Sequence, residues 1–457
     1  MLSKLDNIHW GATYTVRHLL QDLNRDGTGV EVGRYTEDLY ERETLINTVP
    51  NTLSEAKVKE IPGFTAQPFE QVIVNGDGST TIDIHYHRNP ITLKFNPNGG
   101  FFVVEDGNAS KQSEEPIEIT QVYGTTGYNF PNPKITTTDL QIEFYKWVPV
   151  DTEEPLRITG EGSTYKDFQF PSTSGTYRAL WDVTADIANI STTTQIPSGK
   201  LKLTGAVNTE DIKNLKNALE KSEVELDLAG LTISEGSNLS IGLIDKHNYN
   251  FNGLLLTKVA LPTKGTVFLG SGAFSSCPSL ESITIGSNVE VSHGGTFWGS
   301  TQLTFNVSQD HPELVTTRDK KALLRKISDE SEEYSLVSYP SASGNINLGK
   351  LGFTITAIEE DALALLPDGN TTITFPATVK VIGPYADYQI DQGAHLTIIM
   401  EGTEPPTLPG EDNLSCSTFG SKVNIYVPDE SFSKYQNAWQ NYADKHDIYP
   451  MSEYGLH

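Results

Sequence analysis

Beyond residue 200, apolar residues recur in short alternating runs rather than at helical spacing. Val224-Glu-Leu-Asp-Leu228, Leu256-Thr-Lys-Val-Ala-Leu-Pro262, Leu280-Glu-Ser-Ile-Thr-Ile285, Leu303-Thr-Phe305, Thr371-Thr-Ile-Thr-Phe-Pro376 and Leu396-Thr-Ile-Ile-Met400 each predict a strand with one apolar face. A second frame is shared by Leu269-x3-Ala273-Phe274, Ile358-x3-Ala362-Leu363 and Ile382-x3-Ala386-Asp387, the last two 24 residues apart. A period in the low twenties with alternate apolar strand positions is the spacing of leucine-rich coils. Residues 306–350 break it with a predicted hairpin around Arg318–Lys321 and an acidic loop through Glu330, Glu332 and Glu333. The series closes on Ile425-Tyr-Val-Pro428, a strand with a proline stop. A helix then carries Phe432, Tyr435, Trp439 and Tyr442 on one face, the pattern of a cap over a last coil.

Upstream the alternation is also of period two. Residues 14–89 run from Tyr14-Thr-Val-Arg-His18-Leu-Leu-Gln21 through Gly63-Phe-Thr65 and the turn Asn75–Thr80 to Thr81-Ile-Asp-Ile-His-Tyr86. Residues 91–182 run from Ile91-Thr-Leu-Lys-Phe-Asn-Pro-Asn-Gly-Gly100 through Phe144-Tyr-Lys-Trp147 to Tyr177-Arg-Ala-Leu-Trp181. Within the second segment, residues 101–121 read as an acidic insertion. Each segment has enough strand and aromatic residues for a small β-rich core. The polar, Thr-rich residues 183–200 read as a linker or the entry to a first coil.

Composition narrows the function. With 59 acidic against 33 basic residues the formal charge is −26, which repels phosphate backbones and anionic lipid heads and so argues against nucleic-acid or membrane-surface binding. The two cysteines, Cys277 and Cys416, make neither a disulfide framework nor a metal spacing, and Cys277 reads as core packing. Residues 1–13 hold no apolar signal core and no run reaches membrane-spanning length, so the letters alone indicate the cytoplasm.

Three resemblances follow from the quoted residues. Tyr-x-Val-x-His-x-x-Gln, Gly-Phe-Thr, Asp-Gly-Ser-Thr and Tyr-x-Arg-Asn resemble mucin-binding-protein-like repeats, with Leu19 where that family has an aromatic residue. The order from Ile91 to Trp181 is similar to the Listeria–Bacteroides (internalin B-repeat-like) module, with Lys146 in place of its glycine. Ala273-Phe-x-x-Cys-x-x-Leu-x-x-Ile-x-Ile285 and the terminal cap resemble BspA-type leucine-rich repeats of Bacteroides-like bacteria. Together they imply a mostly β chain with some α. Two small β-grasp-like domains (1–89 and 90–182) and the 183–200 segment would precede an irregular solenoid with a helical cap (201–457). They also imply an extracellular, cell-surface location, with the export signal upstream or trimmed.

Motifs for chemistry are weak. Gly344–Lys350 fits seven positions of a phosphate loop, but Leu351 stands where Ser or Thr must bind magnesium, so a turn between coils is the reading. Asp22-Leu-Asn-Arg-Asp-Gly27 begins like a calcium loop but has Gly33 in place of the closing glutamate, and a hairpin turn explains the same letters. His85 and His87 share a strand face without a third ligand tied to them. No catalytic signature occurs, and no cofactor, metal or enzymatic activity is expected. A binding role falls to the residues that alternate with the apolar strand positions. These are Glu225, Asp227, Lys258, Ser282, Thr284, Gln302, Thr304, Thr372, Thr374, Asn424 and Tyr426, a largely neutral, hydroxyl-rich face with an acidic start. The expected function is non-catalytic adhesion by a monomer to a host or neighbouring-cell protein or glycan. The alternative is glycan capture for nutrient uptake, with the site on the N-terminal domains.

Overall fold

The computed structural model describes residues 11–106, 109–126, 132–136, 140–152, 169–244, 247–328, 332–363, 371–384, 396–408, 424–440 and 447–455. The chain is mostly β and divides into two compact units, Met1–Thr136 with Phe144–Leu180, and Thr137–Glu143 with Trp181–His457.

The first unit opens with β1 (Ala12–Leu23), β2 (Val30–Glu37), β3 (Glu43–Thr48), β4 (Phe64–Ala66) and β5 (Thr80–Arg88). Its two long strands pair in parallel at the centre, Tyr14 beside Thr80 through Leu20 beside Tyr86. β2 and β3 take successive halves of the other edge of β1, both antiparallel. Alternation places Tyr14, Val16, Ile82, Ile84 and Tyr86 inside, as the sequence pattern predicts. His18 continues the same buried face.

The next strands are β6 (Pro90–Asn96), β7 (Phe102–Asp106), β8 (Ala109–Ser113), β9 (Ile117–Val122), β10 (Gln141–Pro149) and β11 (Gly175–Asp186). β6 lies between antiparallel β9 and the parallel first half of β11. Phe95 packs edge-on to Trp147 at 4.9 Å and stacks on Tyr177 at 5.8 Å. The acidic insertion expected at 101–121 is corrected here. Phe102 is buried, β7 and β8 form a hairpin, and β9 is a full partner of β6.

In the second unit, the far half of β11 pairs in parallel with β12 (Gly199–Val207) from Trp181 beside Gly199 onward. A Cβ on Gly199 would lie 2.0 Å from the Trp181 carbonyl oxygen, so only glycine permits this approach. Ile187, Ile190 and Ile196 are buried, which makes 183–200 the entry to a coil rather than a free linker. Helix α1 (Thr209–Leu219) comes next and is absent from the strand-only reading of this stretch. Its signals are a reciprocal cap, in which Asn208 Oδ1 accepts from the Glu210 and Asp211 N–H groups while Asp211 accepts from Asn208 N–H, and a buried Ile212, Leu215, Ala218, Leu219 stripe.

The coils proper are built from β13 (Val224–Ile233), β14 (Asn238–Ile244), β15 (His247–Tyr249), β16 (Leu256–Ala260), β17 (Thr266–Leu269), β18 (Ser282–Ile285), β19 (Val289–Val291) and β20 (Thr304–Val307). β12, β13, β16, β18 and β20 stack in parallel as the first coil sheet, and β14, β17 and β19 in a smaller side sheet. The break predicted near 306–350 contains β21 (Leu314–Thr316), β22 (Leu323–Lys326) and β23 (Glu333–Ser338), the first two forming the expected hairpin. The hairpin turn covers the edge of β20, where Phe305 N–H donates to Lys320 O at 2.7 Å.

Coils then resume with β24 (Asn345–Asn347), β25 (Thr354–Ile358), β26 (Thr371–Phe375), β27 (Val381–Ile382), β28 (Leu396–Met400) and β29 (Asn424–Val427). Helix α2 (Phe432–Ala438) and β30 (Asp447–Pro450) close the chain. β24, β26, β28, β29 and β30 form a new parallel sheet, with Ile346, Ile373, Ile398, Ile425 and Ile448 aligned on its inner side. The cap residues Tyr435 and Trp439 are buried, donating to Gly402 O at 2.8 Å and Pro406 O at 3.1 Å. Tyr442 lies outside the described residues.

The three inner isoleucines, Ile373, Ile398 and Ile425, each have an isoleucine aligned on the rung before and after, so truncation leaves a void that neither neighbour can fill. Ile398→Ala is expected to cost about 2–5 kcal/mol in urea denaturation of the intact chain. Thr397→Val, on the opposite face, should stay within about 0.5 kcal/mol.

Candidate functional site

Register alignment turns ten of the eleven residues predicted to bind into rows. On the first coil sheet one row reads Asp182, Lys200, Glu225, Lys258, Ser282, Thr304, and the next reads Thr184, Lys202, Asp227, Ala260, Thr284, Asn306. Lys200 and Lys258 flank Glu225 on adjacent rungs, and Lys202 adjoins Asp227. The acidic start expected of this face is therefore compensated rung by rung. Gln302 is exposed but sits in the turn before β20, not on the sheet. Thr304 Oγ1 donates to Glu281 O at 2.7 Å, and Asn306 Oδ1 accepts from Lys320 Nζ at 2.7 Å.

The remaining four lie elsewhere. Thr372, Thr374, Asn424 and Tyr426 belong to the second parallel sheet, whose rows read Asn345, Thr372, Thr397, Asn424, Asp447 and Asn347, Thr374, Ile399, Tyr426, Tyr449. One continuous array was expected. Two separate faces are found, because the 314–338 segment ends the first sheet at β20. Tyr426 is a second correction: it is 2% exposed, stacked on Tyr449 at 5.5 Å and edge-on to Tyr454 at 5.0 Å. The segment after β30 folds back over this rung and removes it from any binding face.

Three concavities lined by described residues can be compared. One of about 440 Å³ lies on the second sheet between Tyr339 and Tyr454. Another of about 580 Å³ lies over Ser240, Phe268 and Glu290, neighbours on β14, β17 and β19. His293 stands at its rim with Nδ1 3.4 Å from Asp361 Oδ2, a bond that raises the imidazole pKa against the opposing effect of burial. The third, about 810 Å³, is in the first unit between Tyr14, Leu53, Val58 and Lys59.

The minor motifs resolve as structure. Asp26 Oδ1 accepts from Thr28 N–H and Oγ1, Asn24 Oδ1 accepts from Gly29 N–H, and Asp22 pairs with Arg34, so the calcium-like letters serve a hairpin turn. Gly344–Lys350 is not a simple turn. Its Asn345–Asn347 is strand β24, followed by a single short helical turn capped by Asn347. His87 Nε2 lies 2.8 Å from Tyr35 Oη and His85 packs edge-on to the same ring. Among the described residues no group of three or more His, Cys, Asp or Glu side chains could hold a metal ion. Cys277 is fully buried, burial pushes its thiol up to about 11, and Sγ donates to Phe251 O. Ser300 Oγ makes the matching bond to Phe274 O one coil later, so the position is a packing site.

No family model and no curated protein matches the chain, so the module resemblances rest on the quoted motifs. Among solved structures, it is similar to a leucine-rich cell surface protein from Faecalibacterium prausnitzii, with 13% identity and a TM-score of 0.29 over 58% of this chain and 78% of that one. No helix of the described residues is long and apolar enough to cross a membrane.

Two outcomes follow from these placements. Tyr426→Ala should destabilise the second unit by about 3 kcal/mol or more in urea denaturation, because it empties a buried aromatic rung, while Thr284→Val should be near neutral. In the first unit burial pushes the His18 imidazole down, outweighing Glu43, Glu41 and Asp38, and its Nδ1 bonds Tyr86 Oη at 2.8 Å. The unfolded chain then binds a proton that the folded chain refuses, so stability falls as pH drops below about 6.5. His18→Gln should flatten that acid limb in thermal melts between pH 7.5 and 5.

Proposed function

We propose that this chain is a non-catalytic bacterial cell-surface protein of the BspA-like leucine-rich class, working outside the cell and binding a protein or glycan through the outer faces of its stacked coils. The single observation behind this reading is the division of labour on each strand. Inner positions are buried apolar rungs, and outer positions are polar side chains spread over several coils. Such a surface offers many weak hydrogen bonds in parallel and no converging acid–base pair, which suits recognition rather than turnover. The two N-terminal modules act as spacers that project the coils.

A second reading, glycan capture by the first unit, is favoured by the cavity beside Tyr14, Leu53 and Val58. Both Leu53 and Val58 are more than half exposed, at 61% and 54%. They can be replaced with little damage to the core.

Immobilised intact chain, probed with a matrix-protein panel and a glycan array, should bind at least one member and hydrolyse none. Thr284→Lys combined with Thr374→Lys should weaken that binding about tenfold, and Leu53→Lys with Val58→Lys should leave it unchanged. The opposite pattern selects the capture reading, and a folded chain that binds nothing overturns both.

A further inference from the structure

The second parallel sheet carries outer polar groups that the protein itself does not use. Among the described residues, the side chains of Asn345, Thr372 and Thr374 make no hydrogen bond within the chain. On the first sheet, by contrast, Thr304 and Asn306 are engaged and the charged positions alternate in sign. The three free side chains floor the 440 Å³ groove together with Ile399. Tyr454 walls one end, 49% exposed and held edge-on against Tyr426, so its ring is positioned yet still open to a ligand. Lys350 is the one charged residue among the described lining residues, and no carboxylate joins it.

The geometry points to a neutral-saccharide subsite in this groove, a deepening that rests on the surface-binding reading above. A sugar ring has an apolar C–H face and a rim of hydroxyls that both donate and accept. Tyr454 supplies a preset apolar surface for the first. Threonine hydroxyls donate and accept, and the Asn345 amide does both through separate atoms, which matches the second. The floor crosses β24, β26 and β28, and at about 4.8 Å per strand it spans roughly 10 Å, the length of a disaccharide rather than a single ring. Charge plays a minor part in the selection. Lys350 is a single exposed cation against a floor of neutral amide and hydroxyl groups, so a lone screened charge adds little and the neutral contacts carry recognition.

The test uses the full chain with isoleucine δ1 methyls labelled, since Ile399 reports from the groove floor. Lactose, cellobiose, maltose and N,N′-diacetylchitobiose are titrated, with sialyllactose as the anionic counterpart. At least one neutral disaccharide should shift the Ile399 methyl, and sialyllactose should bind no more tightly than the best neutral one. Thr372→Val with Thr374→Val keeps the strand shape and should weaken that binding about tenfold, with an unchanged melting temperature. Tyr454→Ala should weaken it at least as much. A stationary Ile399 methyl across the neutral panel overturns the subsite, as does full affinity in the double valine variant. If the intact chain still binds a matrix protein or another glycan while Ile399 is stationary, surface binding stands and only the subsite falls. If a folded chain binds nothing in either assay, both fall.

Discussion

In-register parallel stacking of apolar rungs is the constraint on which the second unit depends. Val183, Leu201, Leu226, Val259, Ile283 and Phe305 align on the first coil sheet, all buried, and the five isoleucines align on the second. A slip of one residue between any two strands would turn every apolar side chain outward. Each coil therefore has its register set by its neighbours, and no coil can bury its own face alone. The phenylalanines repeat this logic at the coil corners, where Phe251, Phe274 and Phe297 stand 5.5 and 6.4 Å apart. A stack of this kind ends badly unless something covers its open edges. The hairpin turn at Lys320 covers β20, and β30 with α2 covers the last rungs.

The same constraint explains which parts were legible in the letters. Strand positions, the corner frames at Ala273 and Ala362, the buried cysteine, the hairpin near Arg318 and the aromatic helix of the cap all follow from local alternation or a local aromatic cluster, and each is found, while the third frame, at Ala386 and Asp387, lies outside the described residues. What failed involves partners distant in sequence. Tyr426 alternates outward within its own strand, and only the return of Tyr449 and Tyr454 buries it. Glu225 and Asp227 look acidic until Lys200, Lys202 and Lys258 are placed on the adjoining rungs. The single face became two because the turn at Lys320 blocks an edge, and nothing in the strand letters says which edge a turn will occupy. Helix α1 is a different kind of miss. Asn208, Glu210 and Asp211 spell a helix start that strand-oriented reading passed over.

Strand chemistry also limits what an outer face can present. Outward positions must keep β-forming character, so threonine is favoured there for backbone reasons before any ligand is considered. That gives Thr372, Thr374 and Thr397 a structural explanation, but an incomplete one. Valine would satisfy the strand equally well, and the asparagines at 345 and 424 are poor strand formers. Strand formation alone does not select asparagine beside threonine along one row.

The contrast between the two faces sharpens this. Where charges appear, on the first sheet, they sit beside opposite charges on the next rung, so the face largely neutralises itself and presents little net field to an approaching partner. On the second sheet charge is nearly absent over the groove, and the hydrogen-bonding capacity of its floor is left for solvent or ligand. Thr372 and Thr374 are half-buried in a groove walled by an aromatic ring, where displaced water is exchanged for directed bonds and apolar contact at once. A protein carrying a formal charge of −26 has every opportunity to place carboxylates on any surface. Their exclusion from the described lining of this one groove is the feature that a solubility argument does not produce and a recognition argument does.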